Sequence, residues 1–162
     1  MDAQTSLDGR PRAVEKSDPV FASDDDVRAI MNAVLAGTHP YPNWTHAAHC
    51  LVTVALLRER PDLDLPRDMP GLIRAYNTAV GIPNTDTDGY HETLTQFHIR
   101  EIGRLLAALP AGTGLADAVR AVLVSPVGQR GHVFDFYSRA RLFSVEARRG
   151  WVEPDLKPHT AG

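Results

Sequence analysis

The chain has a single cysteine, Cys50, so no intramolecular disulfide can staple the fold, and a reducing compartment is expected. Long apolar runs are missing as well. No segment approaches the roughly 20 consecutive apolar residues that span a bilayer, and the first 22 residues, MDAQTSLDGRPRAVEKSDPVFA, hold no continuous apolar stretch of signal-peptide type. A cytoplasmic location follows as the expectation. No dominant basic block is present. The net charge is −3, with Lys and Arg spread along the chain and densest in its last third, which argues against nucleic-acid and membrane-surface partners. Strand signals are scarce too: no run shows sustained period-2 alternation, and no Asn-Gly or Asp-Gly pair joins two apolar runs.

What is present is helix punctuation. At 162 residues the chain can bury a core without a metal or disulfide to hold it. The reading is an all-α, single-domain helical bundle of about five main helices with a short-helix and extended C-terminal strap. Residues 1–22 are expected to be a disordered or loosely attached arm, and residues 23–162 a helical metal-binding domain. Ser23 followed by Asp24, Asp25 and Asp26 predicts a helix to about Ala36, stopped by Gly37. Thr45 caps a second helix that ends before Pro61, and its HCLVTVALL run is apolar almost all round, the mark of a central buried helix. Asp68 with Pro70 opens a third, through Tyr76 to Val80. A fourth runs from about Tyr90 to Leu109 and a fifth from about Leu115 to Val124. Ser144 and Gly150 bracket a short late helix, and Trp151 and Leu156 are expected to pin the tail across the bundle.

Two runs carry the chemistry, WTHAAHC at 44–50 and NTDTDGYHETLTQFH at 84–98. On a helix, His46 and His49 have Cβ atoms about 5–6 Å apart, which is chelate spacing, and buried imidazoles need partners for both nitrogens. In the second run His91 and His98 lie roughly 10 Å apart along a helix axis, too far to share one ion. His91, at a helix start like the first pair, is therefore taken as the third metal ligand, and His98 as a satisfied polar residue or a donor behind the ligands. Glu92 is a fourth ligand, a general base, or a first-turn residue suited to the helix dipole. Tyr90 is a hydrogen-bonding wall or a packing staple. Thr95, on the His91 face, is a candidate substrate contact.

An EF-hand reading of Asn84, Asp86, Asp88, Gly89 and Glu92 fails at its last position, where Thr95 stands in place of a bidentate carboxylate. Asp86 and Asp88 are instead expected to form Asx-turns, with Gly89 freeing the backbone and the Thr-rich loop lining a pocket mouth. Cys50 reads as a small core residue in preference to a zinc ligand or nucleophile, because Leu51 and Val52 continue the apolar run from it.

These runs, together with LFSVEARRGWVEPDL at 142–156, resemble a family of small uncharacterised bacterial helical proteins. That family has an aromatic-x-His-x-x-His run, a Tyr-His-Glu-Thr run and a Ser-x-x-Ala-Arg…Pro-Asp-Leu tail. The likeness spans about Ser23 to Pro158. It implies that His46, His49, His91, Glu92 and Arg148 occupy motif positions, and it places an aliphatic residue where this chain has Cys50. It implies no substrate. Among the late arginines, Arg148 is the candidate to hold a substrate anion through its guanidinium fork.

The functional expectation is a metal-dependent enzyme of hydrolase or lyase type acting on a small molecule, anionic if Arg148 holds it. His46, His49 and His91 would bind one divalent transition metal, zinc or iron first and copper third. The alternatives are a non-haem iron or copper oxygenase at the same residues, and a non-catalytic structural, sensory or small-ligand-binding domain.

Overall fold

Ser23 starts the first helix as its sequence predicts. Its hydroxyl accepts from the Asp26 amide at 3.2 Å while the Asp26 carboxylate accepts from the Ser23 amide at 2.9 Å, a closed capping box on α1, Asp24–Leu35. In the computed structural model, which describes residues 15–159, α1 is followed by a 3₁₀ turn at Tyr41–Asn43 and then α2, His46–Glu59. Three further long helices follow: α3, Leu65–Ala79; α4, Glu92–Ala108; and α5, Leu115–Val124. Two 3₁₀ turns at Pro126–Gly128 and His132–Asp135 lead to two short helices, α6 at Arg139–Leu142 and α7 at Val145–Arg149, and then to an extended tail. The protein is all-α, a helical bundle, with no strand among the described residues. None of these helices is long and apolar enough to cross a membrane.

α2 is the central element. Thr45 caps it, accepting from the Ala48 amide at 3.3 Å, and residues 50–56 are all buried, so its apolar surface is covered by α1, α4 and α5 together. α5 begins at Gly114, which has no side chain to cap it. Asp24, at the first turn of α1, supplies the missing acceptor by taking the Ala116 amide at 2.7 Å. A second, smaller core lies between α4 and the C-terminal segment, built from Phe97, Val133, Phe136, Tyr137 and Leu142.

One expectation is corrected and two are refined. The third helix starts at Leu65, capped by Asp64, and Pro70 lies inside it. A proline there has no N–H for the carbonyl four residues earlier; the buried Gln96 of α4 takes its place, donating to the Pro66 carbonyl at 2.8 Å. The expected loose arm is also tethered over its described part. Ser17 donates to the Pro42 carbonyl at 3.0 Å and accepts from Asn43, while Arg120 holds the Ala22 carbonyl at 2.7 Å. Residues 1–14 lie outside the described residues. In the tail, Trp151 does pin the strap, with Arg100 stacked 4.0 Å over its ring, and Leu156 does so through its amide, which donates to the Phe136 carbonyl at 2.9 Å, while its side chain is 60% exposed. Asp155, bound to the Ser138 amide at 2.8 Å, and the Tyr137 hydroxyl, which donates to the Val152 carbonyl at 2.7 Å, add to these tethers.

Candidate functional site

A cavity of about 910 Å³ opens between α2, α4 and the segment 128–143, within the size range of small-molecule sites. It is lined by His46, His49, His91 and His98, with Tyr90 and Thr95, and its apolar walls include Trp44, Met69, Leu94 and Phe134. Both runs singled out in the sequence thus meet at one cavity. The four histidines play different parts there.

His98 packs edge-to-face on His46 with ring centroids 5.0 Å apart. Its Nδ1 lies 2.8 Å from the Leu94 carbonyl, which can only accept, so Nδ1 carries the proton. Nε2 is then a bare lone pair, buried and without a hydrogen-bond partner among the described residues. His49 stacks on Trp44, centroids 3.8 Å apart, and neither of its ring nitrogens hydrogen-bonds among the described residues. His46 Nε2 makes only long contacts, 3.4 Å to the Val127 carbonyl and 3.6 Å to Cys50 Sγ. Burial keeps all three rings neutral at physiological pH. It lowers the basicity of His46 and, with the neighbouring imidazoles adding repulsion, pushes His49 down to about 3 and His98 to about 4.

His91 has both nitrogens occupied. It is the N-cap of α4: Nδ1 accepts from the Leu94 amide at 3.2 Å, and Nε2, 2.8 Å from the Leu142 carbonyl, donates to it. The sequence favours His91 over His98 as the third ligand; in the fold His91 is committed to two hydrogen bonds, while His98 keeps one nitrogen unpartnered among the described residues. The signal lay in the run itself. Between Gly89 and Glu92 there is no Ser, Thr, Asp or Asn, so His91 was the residue left to satisfy the first amides of α4.

The remaining candidates divide similarly. Tyr90 lines the cavity, but its hydroxyl donates to Glu92 Oε2 at 2.5 Å, and Glu92 is not part of the cavity wall. Burial, and then the Glu92 carboxylate, push the Tyr90 hydroxyl above its ordinary range. Arg148 does not line the cavity either. Its guanidinium donates to the carbonyls of Gly89 and Tyr90, both at 3.2 Å, and so holds the loop in place. Cys50 is 1% exposed, and burial pushes its thiol up to about 12, so it is a packed thiol with no nucleophilic character.

The 84–90 loop is built around Asn84, whose Oδ1 accepts from Asn77 at 2.9 Å and from the Tyr90 amide at 3.1 Å. Asp86 is not an Asx-turn but the partner of Arg149, at 2.7 and 2.6 Å. The Thr-rich tip does not reach the cavity, to which this segment contributes Ile82, Gly89 and Tyr90. Gly89 is obligatory. Its φ is +79°, and a Cβ there would fall 2.3 Å from the Pro83 carbonyl.

Three charged wall residues carry no signal in the sequence, Lys16, Asp18 and Arg130, whereas Arg139 is one of the late arginines that the sequence offers as an anion holder. They belong to the docked arm and to the C-terminal segment, whose positions no local pattern encodes. Comparison of the chain with family models, with curated proteins and with solved structures gives no match.

Proposed function

We propose that the chain is a metal-dependent enzyme acting on a small molecule, with one divalent transition metal held by His98, His46 and His49 at the wall of the cavity. The observation that carries this reading is the bare, buried Nε2 of His98 beside the neutral imidazole of His46, with His49 lining the same cavity. An unpartnered buried acceptor costs about 1–3 kcal/mol, and a ligand at that nitrogen removes the cost. The Nδ1–H bond to the Leu94 carbonyl is the arrangement that fixes tautomer and ring direction in metal-binding histidines.

Among the described residues no three His, Cys, Asp or Glu groups stand together as a ready-made metal site. Two features ease closure of the set: the His46 contact to Val127, at 3.4 Å, is weak enough to give up, and His49 has no ring hydrogen bond to break. His91, by contrast, would have to sacrifice two bonds, one of them a helix cap. Bound at this set, zinc supplies Lewis acidity for hydrolytic or lyase chemistry, and iron or copper supplies oxygen chemistry.

The chain's own residues then bind and orient. Trp44, Met69 and Leu94 exclude water from the body of a ligand. Tyr90, with its proton directed to Glu92, lines the wall beside Thr95. A reduced, buried Cys50 suits work in the cytoplasm. A second reading, a metal-free small-ligand-binding domain in which the imidazoles are polar lining, is favoured by the lack of a closed donor set among the described residues. Elemental analysis of protein purified without an affinity tag separates the two. One equivalent of zinc, iron or copper, retained or taken up, supports the enzyme reading; no stoichiometric ion under either condition overturns it.

A further inference from the structure

The chain carries a net charge of −3, yet the charged residues of the cavity are Lys16, Arg130 and Arg139 against one carboxylate, Asp18. Elsewhere arginines are matched to acids or to backbone carbonyls: Arg28 to Asp25 and Glu59, Arg60 to Asp62 and Arg149 to Asp86, with Arg58, Arg141 and Arg148 on carbonyls. Arg130 makes no hydrogen bond, ion pair or ring stack among the described residues. Arg139 lies 4.4 Å over the Phe134 ring, a stack that leaves its N–H edge free to donate. Both come from the segment that also contributes Val133, Phe134 and Leu142 to the cavity, so the cations and an apolar wall belong to one side of it. The fixed charges around the cavity are three cations against one carboxylate, so their field there is positive. Low-dielectric walls focus such a field on whatever enters.

We propose that the cavity takes a small molecule bearing one oxyanion, a carboxylate or a phosphate, on an otherwise apolar body, with the oxyanion held by Arg130 and Arg139 and the body against Leu94, Val133, Phe134 and Leu142. This rests on the cavity being the binding site, as in the function proposed above, but not on a metal. Arg148, the arginine that the sequence favours for this task, is committed to the Gly89 and Tyr90 carbonyls.

The test uses octanoate and octyl phosphate as oxyanion probes and octanamide as their uncharged counterpart, titrated into the full chain by ligand-observed NMR. A charge-assisted contact predicts that at least one oxyanion binds about tenfold more tightly than octanamide. Which of the two binds better identifies the headgroup. The Arg130→Ala/Arg139→Ala double variant should abolish the preference, and both positions are exposed, so the fold is not at stake. The preference should survive in His98→Ala and in chelator-treated protein. Equal binding of octanoate, octyl phosphate and octanamide overturns the proposal, as does no binding of either oxyanion. A preference lost in His98→Ala but kept in the double arginine variant also overturns it, while supporting anion capture by a metal.

Discussion

Replacing His98 by Leu in metal-free protein should leave the fold at least as stable as before, and its advantage should grow on acidification. At neutral pH the substitution removes two opposing contributions. The Nδ1–H bond to the Leu94 carbonyl is worth about 1 kcal/mol, and the unpartnered Nε2 costs about 1–3 kcal/mol, so the balance lies between neutral and about 2 kcal/mol in favour of Leu. The Leu94 carbonyl keeps its helical partner in α4, so no acceptor is orphaned. Acid adds a second effect. Burial holds His98 at about 4 against 6.5 for a free imidazole, so between those values the unfolded chain binds a proton that the folded chain refuses. Stability is therefore complete above about pH 6.5 and falls as the pH drops toward 4. At pH 5 the loss due to this ring is about 2 kcal/mol. Leu has no such loss, although His49 and His46 keep their own shares. Urea denaturation of both proteins with chelator present, at pH 7.5 and pH 5, measures the gap. A gap that does not widen on acidification, or a Leu variant several kcal/mol less stable at both pH values, refutes the reasoning.

Gln96→Leu should cost about 1–3 kcal/mol, because the Pro66 carbonyl loses the donor that replaces Pro70's missing N–H. Adding Pro70→Ala to that variant restores a backbone donor and should recover most of the loss in the same denaturation assay. His91→Ala should destabilise by about 1–2 kcal/mol through loss of the α4 cap and of the bond to Leu142. Cys50, with its thiol pushed up to about 12 from 9.0, should react with iodoacetamide at pH 8 about a thousandfold more slowly in the native protein than in urea.

Local chemistry was the legible part. Ser23, Thr45 and Ser144 act as caps where their spacing to the following apolar residues demanded it. The all-round apolar run after His49 is indeed the buried centre of the bundle. Pro70 was misleading because a proline is easiest to place in a first turn, and the Gln96 that makes it tolerable inside α3 lies 26 residues further on. The meeting of the two histidine runs at one cavity depends on the packing of α2 against α4, which neither run encodes by itself. The division of labour between His91 and His98 depends on which carbonyls lie opposite each ring, and Leu142 is brought to His91 only by the folded C-terminal segment. For the same reason Arg148 and Arg149 could not be told from Arg130 and Arg139 by composition, since their partners at Gly89, Tyr90 and Asp86 are about 60 residues away.

Cobalt(II) titration of four single-alanine variants, followed by the visible ligand-field absorption of the ion, tests most directly whether His98 completes a metal set with His46 and His49. The account predicts a stoichiometric spectrum in the parent protein, lost or weakened at least about tenfold in the alanine variants of His98, His46 and His49. It should persist in His91→Ala. An undiminished spectrum in His98→Ala, or loss in a folded His91→Ala, would contradict it.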